Sequence, residues 1–123
     1  MDVSARWQGV VKRVLRAHTN IDYRLGDVCT LELPAGGFDV VVVHWMLHDI
    51  PPGDRPSTVA ELTRLLRPGG RLFVREPTSL KHGMPAAEAQ RLLAEAGLTE
   101  QGRRSGKALV PGSYYSGVWA KPA

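Results

Sequence analysis

GGFDVVVVHWMLHDIP, residues Gly36 to Pro51, is the stretch whose reading decides the fold. Gly36-Gly37 interrupts the chain, and four consecutive valines, Val40 to Val43, follow Phe38-Asp39. β-Branched residues without polar alternation read as a strand buried on both faces, the habit of parallel sheets. His44, Trp45, His48 and Asp49 come directly afterwards. In open α/β sheets the ligand crevice lies beyond the carboxyl ends of the strands. The chemistry-bearing residues therefore sit where such a fold places its site. The plainer alternative is that His44 and His48 are ordinary residues of a strand-to-helix connection. No third ligand accompanies the two histidines, so no metal is expected.

Working outward, the chain before this stretch opens on a helical pattern. Trp7, Val10, Val11, Val14 and Leu15 form one apolar stripe, and Ser4 is placed to cap it. Ile21 to Leu25 alternates apolar and polar residues, which predicts a short half-buried strand ended by Gly26-Asp27. Downstream, Pro51-Pro52-Gly53-Asp54 predicts a turn. Asp54 or Thr58 can cap the next helix, and Thr58-x-x-Glu61 matches a capping box. Val59, Leu62, Leu65 and Leu66 make its apolar face, and Pro68-Gly69-Gly70 is expected to stop it. Arg71 to Arg75 reads as a strand and Pro77 to Gly83 as a loop. Pro85 starts another helix, with Ala89, Leu92, Leu93 and Ala96 inward and Gly97 just beyond its end. Thr99 to Gly106 and Tyr114 to Ala120 read as two antiparallel strands, with Lys107 to Ser113, including Pro111-Gly112, turning between them. The order α-β-β-α-β-α-β-β predicts an α/β fold with a parallel sheet that ends in a hairpin.

The chain has 123 residues, enough for one domain with a modest core. Its composition is that of a globular protein, 43% hydrophobic and 23% charged. The net charge of +4 is spread along the chain, with small clusters at Lys12-Arg13-Arg16 and Arg103-Arg104-Lys107. A solvated surface accounts for that spread better than a nucleic-acid interface does. The single cysteine, Cys29, excludes an internal disulfide framework and suits a reducing cytoplasm. No apolar run approaches the ~20 residues that cross a bilayer, and the N-terminus lacks the apolar core of a signal peptide.

Taken together, GDVxxLELP, then GGFDVVVVHWMLHDIP, then LLRPGGRLFVREP, then a helix ending AGL resemble the C-terminal two-thirds of a class I S-adenosylmethionine-dependent methyltransferase. The resemblance covers Asn20 to Lys121 and implies a truncated Rossmann-like methyltransferase sheet, strands three to seven of the family order, ending in an antiparallel hairpin. Residues 1–123 would then form a single partial domain. The segment WMLHDIPPGD resembles that of small-molecule O-methyltransferases, where a histidine takes the proton from a substrate hydroxyl and a glutamate ending the next strand orients it. His48 matches the base and Glu76 the glutamate. A hydroxyl is a poor nucleophile until deprotonated, and neutral imidazole is the natural base near neutral pH.

For the cofactor, the resemblance implies that Asp27 accepts a hydrogen bond from the adenine amino group and Val28 lies against the ring, with His44 and Trp45 at the end of the cofactor-side strand. A turn-forming aspartate is the alternative for Asp27, and a solvated strand end the alternative for Glu76. The family's Gly-rich loop after its first strand, and the acidic residue ending its second, have no counterpart here, which is the pattern of a fragment or a truncated homologue. In the family the first strand separates the third from the fourth. Without it the valine strand is expected to pair with the Tyr23 strand, to pair with another chain, or to be capped by the first helix. A homodimer or another partner over that edge is therefore expected. Two functions follow: methyl transfer from S-adenosylmethionine to a hydroxyl of a small metabolite, or a catalytically silent binding module.

Overall fold

The computed structural model describes residues 4–79, 81, 83–109 and 112–123. It forms two compact units, Met1–Glu32 and Leu33–Ala123. In the first unit the Ser4 hydroxyl accepts a hydrogen bond from the Arg6 N–H (3.2 Å) and opens a 3-10 turn, Ala5–Trp7. The turn runs into helix α1, Gln8–Val14. The expected helix is present; Val11 and Leu15 of its apolar stripe are half-buried, while Trp7, Val10 and Val14 are exposed, Val14 by 68%. The strand expected over Ile21 to Leu25 does not form; Leu25 alone makes an isolated bridge. Extended backbone needs a ladder to satisfy its hydrogen bonds, and no strand lies elsewhere among the described residues of this unit.

The second unit is a two-layer α/β assembly. Strand β1 spans Phe38–His44, helix α2 Arg55–Leu65, β2 Leu66–Pro77, α3 Ala86–Glu95, β3 Thr99–Lys107 and β4 Ser113–Ala120. The sheet order is β1-β2-β4-β3. β1 and β2 are parallel, joined by the crossover through α2, and β4 runs antiparallel to both β2 and β3. The parallel pair and the terminal hairpin are those read from the sequence. The turn expected around Pro111 lies partly outside the described residues.

Local chemistry explains the boundaries. Helix α2 starts after Asp54, and the Ser57 and Thr58 hydroxyls both donate to the Asp54 carbonyl at 2.9 Å. The capping box expected from Thr58 and Glu61 does not form, because Thr58 already lies inside the first turn. Glu61 instead pairs with Arg64 at 2.6 Å. α2 ends at Leu65, before Pro68-Gly69-Gly70, and those three residues are an irregularity within β2 rather than a helix stop. Phe38 pairs with Leu66 and Val40 with Arg71, so β2 advances five residues (66 to 71) where β1 advances two (38 to 40). Gly70 is needed there: a Cβ would stand 2.9 Å from the Arg67 carbonyl oxygen and 3.1 Å from that of Asp39. α3 ends as expected. Gly97 adopts a φ of +87°, its N–H donates to the Ala94 carbonyl and that of Leu98 to the Leu93 carbonyl, with both leucines buried.

Both helices of this unit pack on one face of its sheet. The core lies between them and Val43, Leu72, Val74, Tyr115 and Trp119. The opposite face carries Val40, Val42 and Phe73, and Val42 is 69% exposed. The expectation of a strand buried on both faces is therefore corrected. β1 is the edge of the four-stranded sheet, and no helix of this unit covers its second face.

Candidate active site

β1 leaves the sheet through a strained residue. Trp45 has a φ of +51°, a left-handed conformation that is costly for a bulky side chain. Its N–H donates to the Arg75 carbonyl at 2.8 Å, which holds the turn to the end of β2. The His44 and Trp45 rings stack at 5.0 Å with 27° between their planes. A short 3-10 turn, Leu47–Asp49, follows and carries His48.

Glu76, near the end of β2, is 0% exposed, and its carboxylate is the acceptor for this whole turn. Oε1 accepts the N–H of Met46 (3.0 Å) and of Leu47 (2.8 Å). Oε2 accepts the N–H of His48 (3.3 Å) and lies 2.7 Å from His48 Nδ1. A carboxylate only accepts, so the proton of that bond belongs to Nδ1, and in the neutral ring Nε2 keeps its lone pair. Nε2 lies 3.3 Å from Oδ1 of Asp49. The His48 side chain is 15% exposed and that of Asp49 79%. The imidazole is thus oriented by a buried anion at Nδ1, and its Nε2 edge lies beside the exposed carboxylate of Asp49. The alternative of Glu76 as a solvated strand end is overturned by its burial.

The turn's carbonyls are held as firmly as its N–H groups. Buried Arg55, at the start of α2, donates from Nε to the carbonyls of Leu47 (3.0 Å) and Ile50 (2.9 Å), and from Nη2 to that of His48 (3.1 Å). Its Nη1 pairs with Glu88 of α3 at 2.7 Å. The chain carrying His48 therefore lies between a buried carboxylate that takes its donors and a buried guanidinium that takes its acceptors. Sequence reasoning missed both Arg55 and Glu88. An Arg-Pro pair at a helix start signals only the start, and nothing local links Arg55 to Glu88.

In the other unit, Asp27 Oδ1 accepts the Cys29 N–H at 2.8 Å, and its carbonyl accepts the N–H groups of Thr30 and Leu31. Asp27 therefore builds a turn, the alternative noted from sequence, while its exposed carboxylate retains acceptor capacity. Val28 is buried beside it. His48 and Glu76 are brought together; His44 and Trp45 stand at the adjoining strand end. Among the described residues no group of histidine, cysteine and acidic side chains could hold a metal ion, and no helix is long and apolar enough to cross a membrane.

Comparison with known proteins gives the family and the fold. A family model described as a methyltransferase domain matches residues 1–74. An arsenite methyltransferase of Aquipseudomonas alcaligenes is 40% identical over 57 residues, covering 44% of this chain and 16% of that protein. The N-methyltransferase NodS of Bradyrhizobium japonicum, solved with S-adenosyl-L-homocysteine, superposes with a TM-score of 0.87 at 19% identity, over 99% of this chain and 65% of that one. The cyclase SpnF superposes with a TM-score of 0.81 at 16% identity, over 98% of this chain and 64% of that one. The chain spans less than two thirds of each of these relatives.

Proposed function

We propose, from the premise that this chain belongs to the methyltransferase-domain family of class I S-adenosylmethionine-dependent enzymes, that its site methylates a hydroxyl of a small, aromatic metabolite. The observation that carries the reading is the 2.7 Å contact between His48 Nδ1 and buried Glu76. With Nδ1 donating to the carboxylate, Nε2 is the free base and the imidazolium formed on proton uptake is stabilised from the far side. Family membership supports methyl transfer; the fold alone does not, since a cyclase shares it.

S-Adenosylmethionine supplies an electrophilic methyl group on sulfur. Asp27, a turn-held carboxylate with acceptor capacity left over, suits an amino donor such as that of adenine, with Val28 against the ring. His44 and Trp45, at the end of β1, are the other two positions that the family resemblance assigns to cofactor binding. Glu76 and Arg55 hold the turn so that Nε2 of His48 would take the hydroxyl proton as the oxygen accepts the methyl group and the sulfur leaves with the electron pair of its bond to that carbon. Positioning and proton removal are the two contributions this chain's residues make.

The exposed valines of edge strand β1 favour a second reading, a catalytically silent module whose edge is covered by a second copy or another protein. Titration calorimetry with S-adenosylmethionine separates the two. Saturable heat supports the enzyme, and no heat at millimolar cofactor leaves the silent module.

A further inference from the structure

We infer that Asp49 is a latch on the base: its side chain closes on Nε2 of His48 in the resting chain and has to swing clear before an acceptor hydroxyl can use that nitrogen. The inference rests on the reading of His48 as the base and adds a positioning residue that acts through it. Both ring nitrogens of His48 face carboxylate oxygens, Nδ1 that of Glu76 at 2.7 Å and Nε2 that of Asp49 at 3.3 Å. A neutral imidazole has one N–H and satisfies one carboxylate. With that proton on Nδ1, the lone pair of Nε2 is left facing a second acceptor, and two acceptors do not bond. The Asp49 contact is therefore attractive only when Nε2 also carries a proton. The arrangement is that of a doubly protonated ring held between two anions.

The two carboxylates differ in freedom. Glu76 is wholly buried and fixed by three backbone N–H groups. The Asp49 side chain is 79% exposed, and His48 is its one hydrogen-bond or ion-pair partner among the described residues. The backbone beneath it is tied. The Asp49 N–H donates to the Met46 carbonyl at 3.2 Å, and Arg55 holds the carbonyls of His48 and Ile50 on either side. The carboxylate leaves and returns by rotation about its own side-chain bonds, on a turn that stays in place.

The position it covers is the one the reaction needs. An acceptor oxygen must come within about 2.6–3.2 Å of Nε2 to give up its proton. A ring nitrogen has one lone pair, so the acceptor and Asp49 cannot share it. When the latch opens, the Nε2 proton passes to water and the lone pair is bared. The acceptor hydroxyl then gives its proton to Nε2 as the methyl group moves from sulfur to oxygen, the sulfur keeping the electron pair of the broken bond. Asp49 closes on the new Nε2–H, and the ring is back in its resting state.

The test is acylation of the chain by diethyl pyrocarbonate at fixed pH, followed histidine by histidine by mass spectrometry. The reagent needs a ring nitrogen with a lone pair. Nδ1 faces buried Glu76, so reaction at His48 reports on Nε2. His44, which stacks on Trp45 and pairs with no carboxylate among the described residues, is the internal reference. In the parent chain His48 should react more slowly than His44. Asp49→Ala should raise the His48 rate about three- to fivefold, as expected for loss of an exposed ion pair, and leave His44 unchanged. Asp49→Asn should rise less, since its amide still reaches the ring. The side chain is exposed, so the melting temperature of both variants should match the parent's. An unchanged His48 rate in Asp49→Ala, a rise shared by His44, or a parent His48 as reactive as His44 would each overturn the latch. The acylation needs neither cofactor nor acceptor, so the latch and the methyl-transfer reading fail separately.

Discussion

Arg55 of α2 and Glu88 of α3 meet at 2.7 Å, and through that pair a helix remote in sequence helps to hold the turn that carries His48. The guanidinium is buried and spends its other donors on the carbonyls of Leu47, His48 and Ile50. Removing it leaves three carbonyls and a carboxylate without their partner. Arg55→Gln is expected to destabilise the chain by about 3 kcal/mol. Arg55→Lys keeps the charge but loses the fork and should fall between. Glu88 is partly exposed, so Glu88→Gln should cost about 1 kcal/mol. Urea unfolding of the three variants gives the order; equal midpoints would show that the clamp contributes nothing.

Glu76 takes four donors while wholly buried. Glu76→Gln puts an amide N–H₂ against at least one backbone N–H, and a loss of about 3 kcal/mol is expected. The same variant removes the anion that keeps the His48 proton on Nδ1. Nitrogen-15 spectra of the neutral imidazole should show the Nδ1–H form in the parent chain and a mixture in Glu76→Gln. A parent chain already mixed would contradict the orientation described.

Gly97 closes α3 at a φ of +87°, with nothing within 4 Å of the position a Cβ would take. The cost of Gly97→Ala is therefore backbone strain alone, about 1 kcal/mol. A thermal melt reads it directly, and an unchanged melting temperature would mean that the helix end relaxes.

Tyr115 donates its hydroxyl to Glu100 (3.2 Å) and accepts the Trp119 indole N–H (3.0 Å). Burial raises its pKa above the ordinary 10.0, opposed by the Trp119 hydrogen bond. A raised folded-state pKa means that the folded chain keeps a proton the unfolded chain gives up. The resulting stability is present below pH 10 and is lost as pH rises through the folded value. Ultraviolet titration should show one tyrosine ionising late, together with unfolding, and Tyr115→Phe should remove that late step.

The parts of this fold legible in the sequence are those with local causes. The Gly97 helix end, the terminal hairpin and the extended valine run depend on neighbours within a few residues, and each is where the pattern placed it. What depends on distant partners was not legible. Four valines announce a strand, but whether both of its faces are covered depends on helices elsewhere, and here Val42 stays open. The Ile21 to Leu25 segment has the alternation of a strand and lacks a ladder to join. Pro68-Gly69-Gly70 marks a break in regular structure without saying whether the break falls in a helix or a strand. In the site, His48 and Glu76 were found through family resemblance, and the structure adds their contact. The strain at Trp45 and the hold of Arg55 had no local signal, because both are tertiary.

The central claim is that His48 is the base for methyl transfer, and single-turnover transfer from labelled S-adenosylmethionine to a panel of phenols measures it most directly. The parent chain should transfer label, and His48→Ala should lower the rate by about 10²–10⁴-fold while binding the cofactor equally well. A parent chain that transfers nothing to any phenol, or a His48→Ala chain that transfers at the parent rate, would contradict it.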